Sequence, residues 1–356
     1  MSKVVVVGAG VTGLTTAYFL SEKGYDVTIV FKKAFFDGYD DACYASNFAG
    51  ANWHSFASHD EIELQEYDKP AYRKFLHLAK TDPKAGIILK KNVSYIEKET
   101  FAKKYNNDPS KVSHPWFKDF VEDYKIIPQH ELPSNIGFGT SYLGVVITTP
   151  IYLNYLLAKC VENGATYKRA TLEHIRDAEK YHHSGIKPDV IVNCTGLLAA
   201  KLGGVEDKEV YPIRGQIIVV ENDCKDVMSV KFEDPQNPDD LLYIMPRKEG
   251  GAIIGGCFLA DIWNNTPDYE MANRTLQRAK KYCPEFVDPC SGNPSEFKVV
   301  RYQVGFRPGR KGGPKVEIEG NIVHNYGAGG TGYQSSYGTC SKAVSLVEAF
   351  LSKPKL

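Results

Sequence analysis

Residues 3–31 read KVVVVGAGVTGLTTAYFLSEKGYDVTIVF, in which a valine run, a glycine pattern and a second apolar run follow one another. Val4–Val7 has the β-branched composition of a strand that is buried on both faces of a parallel sheet. Leu14–Lys23 is a good helix former that ends before a glycine, and Asp26–Phe31 reads as a second strand. The order strand, G-x-G-x-x-G, helix, strand predicts a dinucleotide-binding βαβ unit.

Each glycine of residues 8–13 has a separate task in such a unit. We expect Gly8 to make the tight turn after the strand, Gly10 to let the main chain approach a pyrophosphate, and Gly13 to let the helix pack on the sheet. The start of the helix supplies amide donors and a partial positive charge for the phosphates. The alternative is an ordinary turn between a strand and a helix.

The identity of the dinucleotide stays open at this point. The acidic residue that usually binds a ribose at the end of the second strand is missing, and residues 30–33 read VFKK. Lys32 and Lys33 have the charge to hold the 2′-phosphate of NADP, or they are simply an exposed pair at a strand end. Asp37 lies close enough along the chain to serve a ribose indirectly.

The charge balance excludes two classes of partner. The chain of 356 residues has 43 basic and 43 acidic residues without a long block of one sign. This excludes the basic footprint of nucleic-acid binding and a polybasic membrane anchor. Eight scattered cysteines without a C-x-x-C pair indicate reduced thiols in an intracellular compartment. We predict no metal ligands, and no apolar run approaches the roughly 20 residues that span a bilayer.

The two ends of the chain bear on localisation. The last three residues, Pro354-Lys355-Leu356, resemble the small-basic-leucine signal for peroxisomal import, with proline in the place of serine. The first residues, Met-Ser-Lys before an apolar strand, lack the pattern of a secretory signal. We therefore predict a peroxisomal protein that an import receptor would bind, and otherwise a cytoplasmic one.

The rest of the chain predicts two further kinds of element. Helices are expected at Pro70–Lys80, Pro150–Asn163 and Ser341–Leu351. A second buried strand, Asp189–Asn193, is followed by a glycine and a helix, as at the N-terminus. Between residues 205 and 299 the pattern changes to the alternation that is typical of antiparallel strands.

These elements predict an α/β fold in which a Rossmann-like domain is interleaved with a mixed antiparallel-sheet substrate domain. The chain would cross each domain more than once. The predicted nucleotide-binding domain comprises residues 1–57, 148–203 and 300–356, and the substrate (cap) domain comprises residues 58–147 and 204–299.

Six motifs occur in one order along nearly the whole chain: GAGVTG (8–13), GANW (50–53), VNCTG (192–196), PIRGQ (212–216), VGFRP (304–308) and IVHNYGAGGTGYQSSYG (322–338). Together they resemble the FAD-dependent D-amino-acid oxidase family, which includes the D-aspartate oxidases. The last motif is the most specific of the six. Cys340 stands where the family usually has alanine, which exchanges one small residue for another.

The resemblance implies non-covalently bound FAD as the cofactor. In such oxidases a glycine-rich loop turns its main-chain amides toward the flavin ring, and residues 327–332 would do so here. The alternative for this loop is a glycine-rich turn after a strand. The residues that the resemblance assigns to the cofactor are Gly8, Ala9, Gly10, Val11, Thr12, Gly13, Lys32, Ser46, Gly50, Asn52, Thr195, Gly196, Arg307, Gly329, Gly330, Thr331, Gly332, Tyr333 and Gln334.

The expected chemistry needs the substrate Cα–H held close to the flavin, which an arginine can achieve by binding the carboxylate with two hydrogen bonds. The resemblance implies Arg307 as this clamp, Tyr243 as a second partner of the carboxylate, and Gln334 near the amino group. The alternatives are a surface arginine, a core tyrosine and a cap at a helix start. Phe258 stands where some relatives carry a tyrosine, so we expect an apolar wall there.

The expected substrate preference depends on His54, which directly follows GANW. A histidine can donate a hydrogen bond and, when protonated, add positive charge for a side-chain carboxylate. The alternative is a packing histidine. Lys231 is a candidate for a second cation. These residues favour acidic D-amino acids, D-aspartate first, over neutral D-amino acids by a small margin.

The expected reaction is oxidation of a D-amino acid by O₂ to a 2-oxo acid, ammonia and hydrogen peroxide. The alternatives are an NADP-dependent reductase, an oxidase for glycine or a secondary amine, and a binding protein without activity. The joint presence of Arg307 and Tyr243 argues against the last of these. We expect no nucleic-acid or membrane partner, and a homo-oligomer is left open.

Overall fold

A computed structural model describes residues 1–353, and the predicted import signal at residues 354–356 lies outside them. The described part contains fifteen strands and six α-helices, joined by turns and short 3-10 helices. In chain order they are β1 (Lys3–Val7), α1 (Val11–Glu22), β2 (Asp26–Phe31), α2 (Ile62–Thr81), β3 (Ile87–Glu97), α3 (Lys98–Tyr105), β4 (Lys125–Ile126), β5 (Ile136–Ile147), α4 (Thr149–Glu162), β6 (Thr166–Arg169), β7 (Val190–Asn193), β8 (Val210–Val220), β9 (Val227–Lys231), β10 (Asp240–Pro246), β11 (Ala252–Cys257), β12 (Leu259–Ala260), α5 (Tyr269–Tyr282), β13 (Val299–Arg310), β14 (Lys315–Glu319), β15 (Ile322–Tyr326) and α6 (Ser336–Leu351).

The smaller sheet contains six strands in the order β14-β15-β7-β1-β2-β6, and all neighbours are parallel except β14 and β15. Val4 and Val6 of β1 belong to the core that α1, α4 and α6 cover. Val5 and Val7 point to the other side, where they pack in a core with Ile191. Burial on both faces is the reason that β1 carries no polar side chain after Lys3.

The larger sheet contains nine strands and is mostly antiparallel. Its order is β12-β8-β11-β10-β9-β3-β5-β4, and β13 pairs with β8 over Val299–Arg310. Helix α5 covers one face through a core that includes Ile218, Leu242, Ile254 and Ala272. The opposite face carries Arg307 and Tyr243 and is turned toward the half of the molecule that holds the smaller sheet. The predicted α/β architecture with two interleaved sheets is confirmed.

One predicted boundary differs from the structure. Residues 300–356 were assigned to the nucleotide-binding domain, but residues 299–310 form a strand of the larger sheet, and the smaller sheet resumes only at Lys315. Either sheet can accept an apolar strand, so the local pattern of β13 does not show which one it joins. The consequence is that Arg307 lies on the larger sheet and not on the nucleotide-binding one.

Two helices begin earlier than predicted. Helix α2 starts at Ile62 and contains Pro70 in its interior, although proline is favoured only in the first turn. Helix α6 starts at Ser336 instead of Ser341. The two helices pack so closely that a Cβ at Gly338 would overlap the main chain of Tyr67. This contact brings the residue after Tyr67 close to the start of α6, beside the site described below.

Within residues 1–353, none of the helices has the length and apolar character that crossing a bilayer requires.

Candidate active site

The turn after β1 has the backbone of a phosphate-binding loop. Gly8 has a φ of +115°, and a Cβ there would overlap the carbonyl of Cys194. A Cβ at Gly13 would overlap the carbonyl of Gly8. Helix α1 begins after Gly10 without a side-chain cap and without an acidic residue in its first turn. Apart from the Val11 amide, which donates to Ser46 Oγ, its first amides therefore form a site for an anionic group.

Ser46 connects this loop to the glycine-rich segment near the C-terminus. The Val11 amide donates to Ser46 Oγ at 3.0 Å, and the Tyr44 hydroxyl donates to the carbonyl of Ala9 at 2.5 Å. From the other side, the Tyr333 hydroxyl donates to the carbonyl of Ser46 at 2.9 Å. Three stretches that are far apart in sequence are thus held together, and each contains residues predicted to contact the cofactor.

The glycine-rich segment forms a short 3-10 turn, Gly329–Thr331, in which Gly330 is exposed. A Cβ built at Gly330 would come no closer than 3.6 Å to any atom, and that atom is Cδ of Arg307. A Cβ at Gly332 would lie 3.9 Å from Cγ1 of Val11. The turn therefore lies between the phosphate-binding loop and the predicted substrate clamp. The Thr331 hydroxyl holds it closed by donating to the carbonyl of Ala328 at 2.7 Å.

The segment GANW is fixed between the two sheets. Ala51 exchanges two main-chain hydrogen bonds with Ile147 of β5, at 3.1 and 2.8 Å, and Asn52 forms a bridge with Val146. A Cβ at Gly50 would overlap Sδ of Met245 on β10. The Met245 side chain therefore lies directly against the main chain at position 50, and a larger residue there would have to displace it.

The motif after β7 also contacts β13, the strand that carries Arg307. The Thr195 hydroxyl donates to Asn193 Oδ1 at 2.8 Å. Gly196 has a φ of +58°, and a Cβ there would lie 3.9 Å from Pro308. Gly196 is therefore placed next to the residue that follows Arg307.

The charged residues after β2 are largely paired with one another. Arg169 donates two hydrogen bonds to Asp37, at 2.8 and 2.6 Å, and this contact holds the pKa of Asp37 below its ordinary value. Lys33 forms an ion pair with Asp40 at 3.0 Å, while Lys32 is exposed. A site for a 2′-phosphate needs cations without such partners, so this arrangement weakens the NADP alternative.

Arg307 lies on β13 with its guanidinium over a surface of small residues. A Cβ at Gly215, its neighbour on β8, would lie 2.5 Å from Nη1. The hydrogen bonds of Nη1 go to the main-chain carbonyls of Cys257 (3.1 Å) and Arg214 (3.4 Å) and, in the described part of the chain, to no carboxylate. The Phe258 ring lies 5.7 Å from Cζ. A half-buried arginine without an acidic partner is a ready receptor for a substrate carboxylate.

Tyr243 lies beside this arginine, on the same face of the larger sheet. Its ring lies against Gly255, where a Cβ would overlap it, and its hydroxyl interacts with Arg307. Burial raises the pKa of Tyr243 above its ordinary value, against the opposing effect of Arg307. The phenol therefore stays neutral and can donate a hydrogen bond. Two sequence-predicted residues, Arg307 and Tyr243, are thus brought together.

Gln334 is turned away from open space and into a buried network. Its Nε2 donates to Asp68 Oδ2 at 3.0 Å, and Ser55 Oγ donates to the same oxygen at 2.6 Å. The Trp53 indole donates to the Asp68 carbonyl at 2.9 Å. Burial raises the pKa of Asp68 to about 6, because the side chain is removed from water.

Asp68 is a residue that the sequence patterns did not single out. It joins the GANW segment to the start of α6 through two side chains and one main-chain carbonyl. No local motif marks it, since only the packing of α2 on α6 brings it there. The nearest sequence signal is an acidic residue inside a helix that otherwise supplies a core face.

His54 does not carry the positive charge that would favour an acidic side chain. Its Nδ1 lies 3.1 Å from the Tyr142 hydroxyl, which donates its single proton to the Trp53 carbonyl at 2.9 Å. Nδ1 therefore donates and Nε2 is left as an acceptor. Removal from water lowers the pKa of His54 to about 4. The imidazole is neutral near pH 7.

The second candidate cation is also engaged elsewhere. Lys231 Nζ contacts the Tyr105 hydroxyl at 2.5 Å and lies 5.3 Å from the centre of that ring. Tyr105 is the last residue of α3. The Lys231 ammonium is thus held against α3.

One group of potential metal ligands lies at the start of β2, outside this site. Asp26, His182 and His183 place their ligand atoms within 4.8 Å of one another. His182 is committed through both ring nitrogens, with Nδ1 at 2.7 Å from Ser184 Oγ and Nε2 at 3.1 Å from the Asp26 carbonyl. A hydrogen-bonded histidine of this kind is a structural residue, so we assign no metal to it.

Comparison with known proteins identifies the class to which this arrangement belongs. Residues 3–346 match the DAO family, described as FAD dependent oxidoreductase. The chain is 38% identical to a D-amino-acid oxidase of Fusarium vanettenii, covering 97% of this chain and 96% of the relative. It is 35% identical to a D-amino-acid oxidase of Schizosaccharomyces pombe, with 96% and 95% covered. A D-aspartate oxidase of Cryptococcus neoformans is 28% identical, with 96% of each chain covered.

Among solved structures, glycine oxidase from Bacillus cereus has the same fold, with a TM-score of 0.75 and 19% identity over 100% of this chain and 99% of that one. The chain therefore belongs to the DAO family of FAD-dependent oxidoreductases. The residues present fit FAD, because an open helix start and a glycine turn with free space in front of it face one another across Ser46.

Proposed function

We propose that this protein oxidises D-amino acids to 2-oxo acids, with release of ammonia and hydrogen peroxide. The observation that carries the proposal is the pair formed by Arg307 and Tyr243. It offers a guanidinium without an acidic partner among residues 1–353 and a neutral phenol, next to a glycine turn that borders open space. Full-length similarity to two D-amino-acid oxidases supports the same activity.

The residues of this chain bind and orient the substrate. Arg307 would take the carboxylate in a bidentate contact, and the Tyr243 hydroxyl would donate a further hydrogen bond to it. Fixing the carboxylate at two points sets the direction of Cα–H, which supplies much of the rate enhancement in such reactions. The start of α1, Ser46 and the turn at Gly330 would hold FAD, which would supply the acceptor for the hydride of Cα and the route for its electrons to O₂. The imino acid that is released then hydrolyses in water.

No residue of the site is needed as a strong base. The substrate amine is neutral when it reacts, and its lone pair assists the departure of hydride from Cα. Phe258 lies beside the clamp with an aromatic ring in place of the hydroxyl that some relatives carry there. We propose that this ring excludes water from the carboxylate and strengthens its contact with Arg307.

We propose neutral D-amino acids as the preferred substrates, which revises the small preference for D-aspartate predicted from His54. A neutral His54 and a Lys231 that is held at Tyr105 supply no cation for an acidic side chain. The chain is 38% and 35% identical in sequence to two D-amino-acid oxidases and 28% identical to a D-aspartate oxidase, which also supports neutral substrates.

The test is peroxide release by the purified yellow holoenzyme with D-alanine, D-aspartate, glycine and sarcosine, and with L-alanine as the stereochemical control. We expect the highest kcat/KM with D-alanine and none with L-alanine. A higher kcat/KM for D-aspartate would restore the acidic preference, and activity only with glycine or sarcosine would contradict the proposal. Purified protein without flavin absorbance that binds NADP would replace it with the reductase alternative.

We also propose import into peroxisomes through Pro354-Lys355-Leu356. The experiment is a fluorescent protein that carries the last ten residues, compared with a version from which the final three are deleted. Punctate fluorescence that coincides with a peroxisomal marker and depends on the tripeptide is expected. Diffuse fluorescence of both versions would favour the cytoplasmic alternative.

A further inference from the structure

A strip of small polar residues crosses the face of the larger sheet that carries Tyr243. Tyr243 on β10 pairs with Ser229 on β9, and Ser229 pairs with Ser94 on β3. Paired residues of neighbouring strands project to the same face, and the two serine hydroxyls are indeed 3.2 Å apart. Both serines are small and only half-buried. They therefore leave space above the sheet, next to the residues that would bind the substrate carboxylate.

His54 lies at the far end of this polar strip. Ser94 pairs with Thr140 on β5, and Tyr142, two residues further along β5, projects to the same face. The Tyr142 hydroxyl is the group that contacts Nδ1 of His54, at 3.1 Å. Strand β5 is three strands away from β10, which separates the two ends of the strip by roughly 14 Å at about 4.8 Å per strand. A substrate held by its carboxylate at Tyr243 would therefore extend its side chain toward His54.

The hydrogen bonds around His54 fix it as an acceptor. The Tyr142 hydroxyl gives its proton to the Trp53 carbonyl at 2.9 Å and accepts from Asn92 Nδ2, also at 2.9 Å. It can therefore only accept from Nδ1 of His54, so the imidazole proton is on Nδ1. Nε2 keeps its lone pair. It has no donor among residues 1–353, and the protein does not seal it off.

The free nitrogen of His54 borders an enclosed space and not bulk water. Burial lowers the pKa of His54 to about 4, and no charged group contributes to this shift. The side chain nevertheless keeps accessible surface, because it is only half-buried. Aromatic rings enclose it: the centres of Phe56 and Phe117 lie 5.1 and 5.5 Å from the centre of the imidazole, each with its edge toward it. The surroundings of Nε2 are thus uncharged and aromatic.

We propose that His54 determines substrate specificity by accepting a hydrogen bond from a long, neutral side chain that ends in a donor. This inference rests on the proposed oxidation of D-amino acids and adds which of them are favoured. A phenol matches best, because its hydroxyl would donate to Nε2 while its ring contacts the aromatic rings around the imidazole. A side-chain carboxylate has no proton to donate at neutral pH and would face the lone pair of Nε2. A methyl side chain is too short to reach His54.

The test compares D-tyrosine with D-phenylalanine, which differ only in the hydroxyl. We expect kcat/KM to be roughly three- to tenfold higher for D-tyrosine, mainly through a lower KM, because this is the effect of one net hydrogen bond. His54→Leu removes the acceptor, while Tyr142 keeps its hydrogen bonds to Trp53 and Asn92. The preference should disappear in this variant, with kcat/KM for D-phenylalanine changed little. His54→Gln, which can again present an acceptor, should restore part of the preference.

His59→Leu is the matched control. His59 is an exposed histidine a few residues further along the same segment, with its Nε2 at 2.7 Å from the His114 carbonyl. This variant should keep the wild-type preference for D-tyrosine. Flavin absorbance and far-ultraviolet circular dichroism verify that each variant is folded.

A binding measurement makes the same comparison without turnover. The holoenzyme is titrated calorimetrically with 3-(4-hydroxyphenyl)propionate and with 3-phenylpropionate, which have no amino group to be oxidised. The phenolic acid should bind more tightly to the wild type and no more tightly to His54→Leu. A phenol preference that depends on His54 in binding, without turnover of any D-amino acid, would contradict the oxidase activity and leave the role of His54 intact.

Two outcomes would overturn the proposal. One is equal kcat/KM for D-tyrosine and D-phenylalanine in the wild type, a result that needs no variant. The other is a preference for D-tyrosine that survives in folded His54→Leu. Either outcome, obtained with an enzyme that oxidises both substrates, would leave the proposed oxidase activity in place and remove His54 as its specificity-determining residue.

Discussion

Two glycine-rich segments of this molecule differ in what surrounds their glycines, as Gly8 and Gly13 of the first and Gly330 and Gly332 of the second show. In the loop after β1, side chains at Gly8 and Gly13 would overlap main-chain carbonyls of the protein itself. In the turn before α6, side chains at Gly330 and Gly332 would approach nothing closer than 3.6 Å. The first loop needs glycine at these two positions to fold. In the second segment Gly327 and Gly329 are also required by their positive φ, but the chain could accommodate a larger residue at Gly330 and Gly332.

This difference separates structural glycines from glycines that face a ligand. Glycine carries an entropic cost on folding, so its use at positions with free space and an ordinary φ needs another reason. The turn before α6 lies between the phosphate-binding loop and the clamp strand, with Gly332 next to Val11 and Gly330 next to Arg307. A flavin that the main chain must approach closely is that reason.

The largest effect is expected from Gly13→Ala, which tests the structural side of the comparison. Because the new methyl group would overlap the Gly8 carbonyl, α1 has to shift away from β1, and overpacking of this kind costs roughly 1–3 kcal/mol or more. We expect a lower Tm of the apoprotein and no retained flavin. Gly24→Ala, with a φ of +82° and nothing within 4 Å, is the matched control that should keep its flavin. A yellow, stable Gly13→Ala protein would contradict the assignment.

Arg307→Ala tests whether the open space beside Gly330 serves the substrate as well as the cofactor. We expect normal flavin absorbance but a loss of kcat/KM for D-alanine of roughly 10²-fold or more, since truncating one partner of an enclosed charge pair costs about 2–5 kcal/mol. Arg307→Lys keeps the charge without the planar fork and should recover only part of the loss. Unchanged kcat/KM in Arg307→Ala would remove Arg307 from the site.

Gly330→Ala tests the other half of the comparison, namely that this glycine faces the cofactor. The backbone at Gly330 lies in a 3-10 turn that alanine can adopt, so we expect the apoprotein to be as stable as wild type or slightly more stable. The methyl group would occupy space intended for the cofactor, and the Kd for FAD should rise roughly tenfold. Thermal unfolding of the apoprotein and fluorescence titration with FAD measure the two quantities. Apoprotein destabilised as much as Gly13→Ala would abolish the distinction between the two segments.

Local patterns in the sequence account for a large part of the fold. The strand Lys3–Val7, the glycine turn and α1 could be predicted because their spacing is set by neighbours within a few residues. The sheet that β13 joins could not be predicted, because strand pairing depends on residues that are distant in sequence, here those of β8. The predicted start of α2 was wrong, because the sequence pattern treats Pro70 as a helix boundary. Packing against α6 stabilises the helix on both sides of this proline.

The site was predictable to a lesser degree. Motifs that resemble a known family indicated Arg307 and Tyr243, and the structure places them side by side. The charge state of His54 could not be predicted, because removal from water, which lowers its pKa, is invisible in the sequence. Asp68 was missed since it acts through Gln334 and Ser55, which are brought to it only by the folded chain.

Asp68 stabilises the turn that contains Gly330. It accepts a hydrogen bond from Gln334, which lies two residues after Gly332. The buried carboxylate has a pKa of about 6 in the folded protein against 3.8 in its ordinary environment. The folded state therefore binds a proton more tightly than the unfolded state does. Its stability falls as the pH rises from about 4 to about 6, by roughly 3 kcal/mol for a shift of this size, and this contribution is constant at higher pH.

The narrowest effect, confined to the pH dependence of stability, is expected from Asp68→Asn. An asparagine can present one oxygen to both Ser55 and Gln334 but cannot titrate, so the difference in free energy of unfolding between wild type and variant should change between about pH 4 and pH 6 and be level above about pH 7. Denaturant titrations at fixed excess FAD measure this difference in free energy of unfolding.

Asp60→Asn is the control, at an exposed carboxyl whose pKa is lowered by Ser58. Its difference in free energy of unfolding from wild type should have the opposite sign and be confined to lower pH. If the difference between wild type and the Asp68→Asn variant stays constant from about pH 4 to pH 7, the carboxyl is not held in a buried network. The turn would then lack the support that distinguishes it from an ordinary surface loop.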